Sequence, residues 1–132
     1  MNRPLFILVI HSSPTVGQLL ANALQNQGHQ VQCFLDPVIA LQALFQTKTV
    51  PLPDLLYIHI TSTAQLTGYE VLRLLRAHGP QIPLVVICPP DDTLLQLKAH
   101  LAGASFFLGE PLRLQQVIAV AQHISRRSDP HQ

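Results

Sequence analysis

The stretch that decides the fold is PDLLYIHI, Pro53–Ile60, followed after a short loop by GYEVLRLLR, Gly68–Arg76. Leu55–Ile60 reads as a strand. Its almost unbroken apolar character marks a strand covered on both faces, as in a parallel sheet. Gly68–His78 then reads as a helix, stopped by Gly79-Pro80.

The same strand-then-helix unit recurs on either side. Leu5–Ile10 is a continuous apolar run. Ser13-Pro14 supplies an N-cap and a proline at the first helical position, and Val16, Leu19, Leu20, Ala23 and Leu24 follow at helical spacing until Gly28. Gln30–Leu35 reads as a strand, and Asp36-Pro37 opens a helix carrying Ile39, Ala40, Leu41, Leu44 and Phe45. Pro83 precedes Leu84–Cys88, the strand expected to be the most buried. Asp91 or Asp92 can cap a helix to about Leu101, with Gly103 as its stop. Ser105–Leu108 makes a short strand, and Pro111 begins a last helix to about Ser125. Five strands alternating with five helices predict a doubly wound α/β sheet. Ligands and chemistry in such sheets gather at the carboxyl ends of the strands, which points to His11, Ser12, His59, Cys88, Gly109 and Glu110.

The 132 residues suit a single domain, expected over 1–126 with a flexible tail at 127–132. Only 11% of the chain is charged and its net charge is +1, so no basic field attracts nucleic acid. Arg126–Arg127 reads as a helix end complementing the helix dipole. Cys33 and Cys88 lie far apart without a CxxC partner, which fits a reduced, cytoplasmic protein. Cys33 reads as core filler. His29, His78, His100 and His123 are expected at exposed helix ends or faces, and Arg73 and Arg76 on a solvated face. No segment resembles a signal peptide or approaches the roughly 20 apolar residues of a membrane helix.

Four segments together, Ile7–Val16, Pro53–Leu75, Ile82–Asp92 and Ala102–Leu112, resemble the signature blocks of bacterial response-regulator receiver domains. The likeness spans about residues 4–126 and includes IPLVVIC and AGASFFLGEP as well as the opening stretch. It implies a flavodoxin-like (βα)5 fold of sheet order 2-1-3-4-5. It also implies which positions should carry phosphorylation chemistry, and there this chain departs from the family. The acidic pair ending the first strand is His11 and Ser12. The phosphoaccepting Asp ending the third strand is His59, the hydroxyl residue ending the fourth is Cys88, and the Lys before proline after the fifth is Glu110. The His59–Gly68 loop is one residue longer than usual.

Acyl-phosphate formation needs a carboxylate nucleophile, Mg²⁺ held by hard oxygens, and a fixed cation. Five coincident changes remove all three. Phosphorylation of His59, Ser12 or Ser13 instead is disfavoured, since Glu110 would repel the incoming group. No cofactor and no enzymatic activity are expected. The reading is a degenerate, phosphorylation-independent pseudo-receiver in two-component-type signalling. Its partner would be a signalling protein, a second copy of the chain being one option, with neither nucleic acid nor membrane involved. The apolar side of the last helix, Leu112, Leu114, Val117, Ile118 and Ala121, is the expected covered face. By the resemblance, Phe107 and Pro111 mark a switch surface and Glu110-Pro111 a cis peptide. The alternative is a small-ligand or transition-metal sensor using His11, His59, Cys88 and Glu110, ligand types that suit Zn²⁺. A His59–Glu110 hydrogen bond would either hold the domain in one state or make it respond to pH or metal; the fixed state is the preferred expectation.

Overall fold

In the computed structural model, which describes residues 3–60, 67–78 and 82–127, five apolar segments pair side by side, all parallel. The strands are β1 (Phe6–Ile10), β2 (Gln30–Phe34), β3 (Leu55–His59), β4 (Leu84–Cys88) and β5 (Phe106–Gly109), and they lie in the order β2-β1-β3-β4-β5. The helices between them are α1 (Pro14–Gln25), α2 (Pro37–Leu41), α3 (Thr67–His78), α4 (Thr93–Leu101) and α5 (Leu114–Arg127). This is the doubly wound arrangement expected from the sequence.

Strand alternation sorts the core into two layers. Leu8, Ile10, Leu56, Ile58, Val86 and Cys88 face one side, packing with Ala40 and Leu44 and with the α3 and α4 residues Leu72, Leu75, Leu95 and Ala99. Ile7, Val9, Leu55, Tyr57, Val85 and Ile87 face the other, against Leu20 and Leu24 of α1 and Val117, Ala121 and Ile124 of α5. All five residues of β4 are buried, as expected for a strand flanked by strands and helices. The hydroxyl of Tyr57, fully enclosed, donates to the Val117 carbonyl at 2.6 Å and so fixes α5 on the sheet.

The caps behave as their residue types dictate. Ser13 Oγ accepts from the Val16 N–H at 3.3 Å, Asp36 Oδ1 from Val38 at 2.8 Å, and Asp92 Oδ1 from Leu95 at 3.0 Å. Gly28 and Gly103 end their helices with positive φ.

Several expectations need correction. Beyond Leu41 the second helix widens into a π-helical segment, Gln42–Gln46, which the periodicity did not foreshadow. The last helix begins at Leu114 rather than Pro111, after a turn in which Glu110-Pro111 is a cis peptide as the resemblance implied. Of the face predicted to await a partner, Val117 and Ala121 are fully buried against the sheet, Leu112 and Ile118 are half-buried, and Leu114 is exposed. Cys33 is exposed rather than core, since β2 is an edge strand, and its Sγ donates to the Gly17 carbonyl at 3.5 Å. His29 is buried, and its Nδ1 accepts the Leu5 N–H at 3.0 Å. Arg76 is half-buried, not solvated, donating to the carbonyls of Gly103 and Ile82. The stop at Gly79-Pro80, the long loop after Ile60 and the tail from residue 128 lie outside the described residues.

Candidate functional site at the carboxyl end of the sheet

β1 and β3 are neighbours, and their last paired residues are Ile10 and Ile58. One step further along each strand stand His11 and His59. Adjacent strands lie about 4.8 Å apart, so two rings at that level and on the same face have little choice but to stack. Their centroids are 4.1 Å apart and their planes differ by 6°.

The two imidazoles are not equivalent. His11 is only 5% exposed. Its Nδ1 accepts the backbone N–H of Ser13 at 3.0 Å, which assigns the lone pair to Nδ1 and the ring proton to Nε2. Burial lowers its pKa from 6.5 to about 4; the neighbouring His59 lowers it further, while Glu110 acts in the opposite sense. His11 is therefore a neutral structural acceptor near pH 7. Ser13 in turn caps α1, so the ring, the turn and the helix start are linked by consecutive hydrogen bonds.

His59 turns its Nε2 toward Glu110, whose Oε2 lies 3.3 Å away. The expected pairing is present as a contact of ion-pair length, but it lacks hydrogen-bond alignment, and His59 Nε2 is buried without a hydrogen-bond partner among the described residues. Glu110 comes from the turn after β5 and keeps 40% of its side chain in solvent. The carboxylate is thus adjustable, whereas the ring it meets is confined.

Cys88 does not join this group. His59 pairs in register with Ile87, and Cys88, one residue on, turns toward α3 and α4. Burial raises its thiol pKa, with Asp92 and Glu110 adding to the rise and Gln96 opposing it. A protonated thiol is a poor metal ligand. Among the described residues no three His, Cys, Asp or Glu side chains gather to hold a metal ion. The four-ligand site envisaged from sequence therefore does not assemble, since strand alternation sends its members to opposite faces. A cavity of about 490 Å³ does exist, but it lies between α2 and α3, walled by Leu41, Phe45 and Leu74 and away from the strand ends.

Ser12 and Pro111 are exposed. Phe107 is half-buried on the α3–α4 side, with its ring 6.5 Å from that of His100. Asp54, the carboxylate nearest in sequence to His59, sits at the opposite end of β3. There it accepts from Arg3 at 3.0 Å and from the Phe6 N–H at 2.8 Å. One contact near the site leaves no local signal in the sequence. A Cβ on Gly109 would lie 3.1 Å from the Pro90 side chain, so glycine lets the β4–α4 turn close over β5.

Five parallel strands in the order β2-β1-β3-β4-β5 with five helices match the flavodoxin-like fold of receiver domains. The chain has the receiver-domain fold. The Francisella response regulator 1452 receiver domain superposes with a TM-score of 0.80 at 18% identity, covering 96% of this chain and 100% of that one. The receiver domain of NtrX from Brucella abortus does so with a TM-score of 0.78 at 25% identity, covering 92% and 99%. In sequence, the response regulator MprA of Mycobacterium sp. (strain KMS) is 28% identical over 127 residues, 96% of this chain and 53% of that protein. The chain therefore spans about half the length of the curated relatives it matches. No protein-family model matches it. No described helix is long and apolar enough to cross a membrane.

Proposed function

We propose that the chain is a pseudo-receiver: a receiver-like module of two-component-type signalling that acts by binding a protein and does not take up phosphate on its third strand. The observation that carries this reading is the stacked His11–His59 pair with Glu110 against it. At the level where a receiver needs a nucleophilic carboxylate, a caged Mg²⁺ and a cation, this site offers a neutral imidazole, a second imidazole and an anion. Phosphoryl transfer depends on charge stabilisation of the transferring group, and the carboxylate that Glu110 sets against His59 has the repelling sign.

A binding role draws support from α4. Leu94, Leu97 and Leu101 recur at helical spacing and are 61%, 54% and 73% exposed, an uncovered apolar row on a chain with few surface charges. In this reading the module is not an enzyme and needs no cofactor.

The test is incubation with acetyl phosphate and Mg²⁺ followed by intact-mass measurement. The expected outcome is an unchanged mass under conditions that modify an active receiver. A stable gain of one phosphoryl group, mapped to any side chain at the strand ends, overturns the proposal.

A further inference from the structure

We infer that the His59–Glu110 contact is a proton-operated latch, in which protonation of His59 draws the turn after β5 onto the end of β3 and deprotonation lets it go. The inference rests on the reading that this site takes no phosphoryl group, and it supplies the input such a site would answer instead.

The geometry carries it. His59 Nε2 is buried, has no hydrogen-bond partner among the described residues, and stands 3.3 Å from a carboxylate oxygen. A buried donor or acceptor left in that condition is costly. Protonation resolves it, because an imidazolium carries an N–H at both nitrogens and can donate a charge-assisted bond to Glu110. Only a small adjustment is needed, and it falls to the half-exposed carboxylate rather than the ring, which is held face to face against His11.

The surroundings leave His59 as the responsive group. From β1, His11 faces it, and the low pKa of that ring keeps it neutral while serving as acceptor for Ser13. From β4, Cys88 turns to the other side of the sheet, with Asp92 beyond it. From the turn after β5 comes Glu110, and Arg113, just before α5, is exposed. α1 contains no charged or titratable residue, and by sequence the loop residues 61–66 (TSTAQL) contain none either. One ring and one carboxylate are therefore left to exchange a proton-dependent attraction.

The experiment is a pH titration of the ¹H–¹⁵N amide and imidazole signals of the full chain, in wild type and in the variants H59Q and E110Q. In wild type, the Gly109, Glu110 and Leu112 amides are expected to shift along the same curve as the His59 ring. In E110Q the ring still titrates while the turn amides lose their share of that curve; in H59Q the curve disappears from the turn. Turn amides that ignore the His59 titration, or that follow it undiminished in E110Q, overturn the latch. E110Q alters a half-exposed side chain, so it remains informative even if H59Q fails to fold. A phosphoryl adduct with acetyl phosphate would instead sink the reading on which the latch rests, and the mass measurement separates the two failures.

Discussion

Exchanging His11 for Asn should flatten the acid side of the stability profile. The ring proton balance gives the size of the effect. In the unfolded chain this histidine titrates near its ordinary 6.5, whereas burial, reinforced by His59, brings it to about 4 in the fold. A group whose folded pKa is depressed contributes stability that is present above the unfolded value and lost as pH falls through the folded one. The window here runs from 6.5 down to about 4. At roughly 1.4 kcal/mol per unit, the whole displacement corresponds to about 3 kcal/mol, of which about 2 kcal/mol is lost between pH 7 and about pH 4.5. Asn retains a side-chain oxygen in reach of the Ser13 N–H and removes the titrating ring. Urea unfolding at the two pH values, in both proteins, isolates the term. His29, whose pKa is also lowered by burial, is common to both and cancels. Wild type should lose about 2 kcal/mol more than His11→Asn on acidification. Equal losses would refute the account of His11 as a ring held neutral by its surroundings.

Three further substitutions test the scaffold around the site. Gly103→Ala places a Cβ on a backbone at φ +99 and within 2.3 Å of Arg76 Nε, so it should cost about 2 kcal/mol or more and lower the thermal midpoint. Arg76→Ala removes the guanidinium that bonds the Gly103 and Ile82 carbonyls; a loss of about 2–3 kcal/mol in denaturant unfolding is expected, and a neutral result would show those bonds are replaced by water. Tyr57→Phe deletes a buried hydroxyl and strands the Val117 carbonyl acceptor, with an expected loss of about 1 kcal/mol and faster amide exchange in α5.

Much of this molecule could be read from its residues because local signals agreed with the global plan. Each cap at Ser13, Asp36 and Asp92 and each stop at Gly28 and Gly103 sits where the sequence placed it, since those contacts span only a few residues. The alternation of strand and helix fixed the layers for the same reason. Misread residues were those whose environment is set at long range. Arg76 looks like a surface cation within its helix, but its partner at Gly103 is 27 residues away. His29 follows a helix end, yet the N–H it accepts comes from Leu5, just before β1 and 24 residues away. Cys33 looks apolar enough to bury, but an edge strand has fewer neighbours to cover it. At the site, sequence pointed to His11 and His59 but not to their stacking. That follows from register, and once β1 and β3 pair at Ile10 and Ile58, parity alone predicts that Cys88 departs while the two rings meet.

The stacked rings also bear on how such a site can change over generations. An aspartate at position 59 would set a second carboxylate beside Glu110. A lysine at 110 would replace the anion beside the His59 ring by a cation. An acid at 11 would bury a charge in place of the neutral ring whose Nδ1 accepts from Ser13. At positions 11, 59 and 110, then, the stacked pair and its carboxylate set the terms for any single replacement.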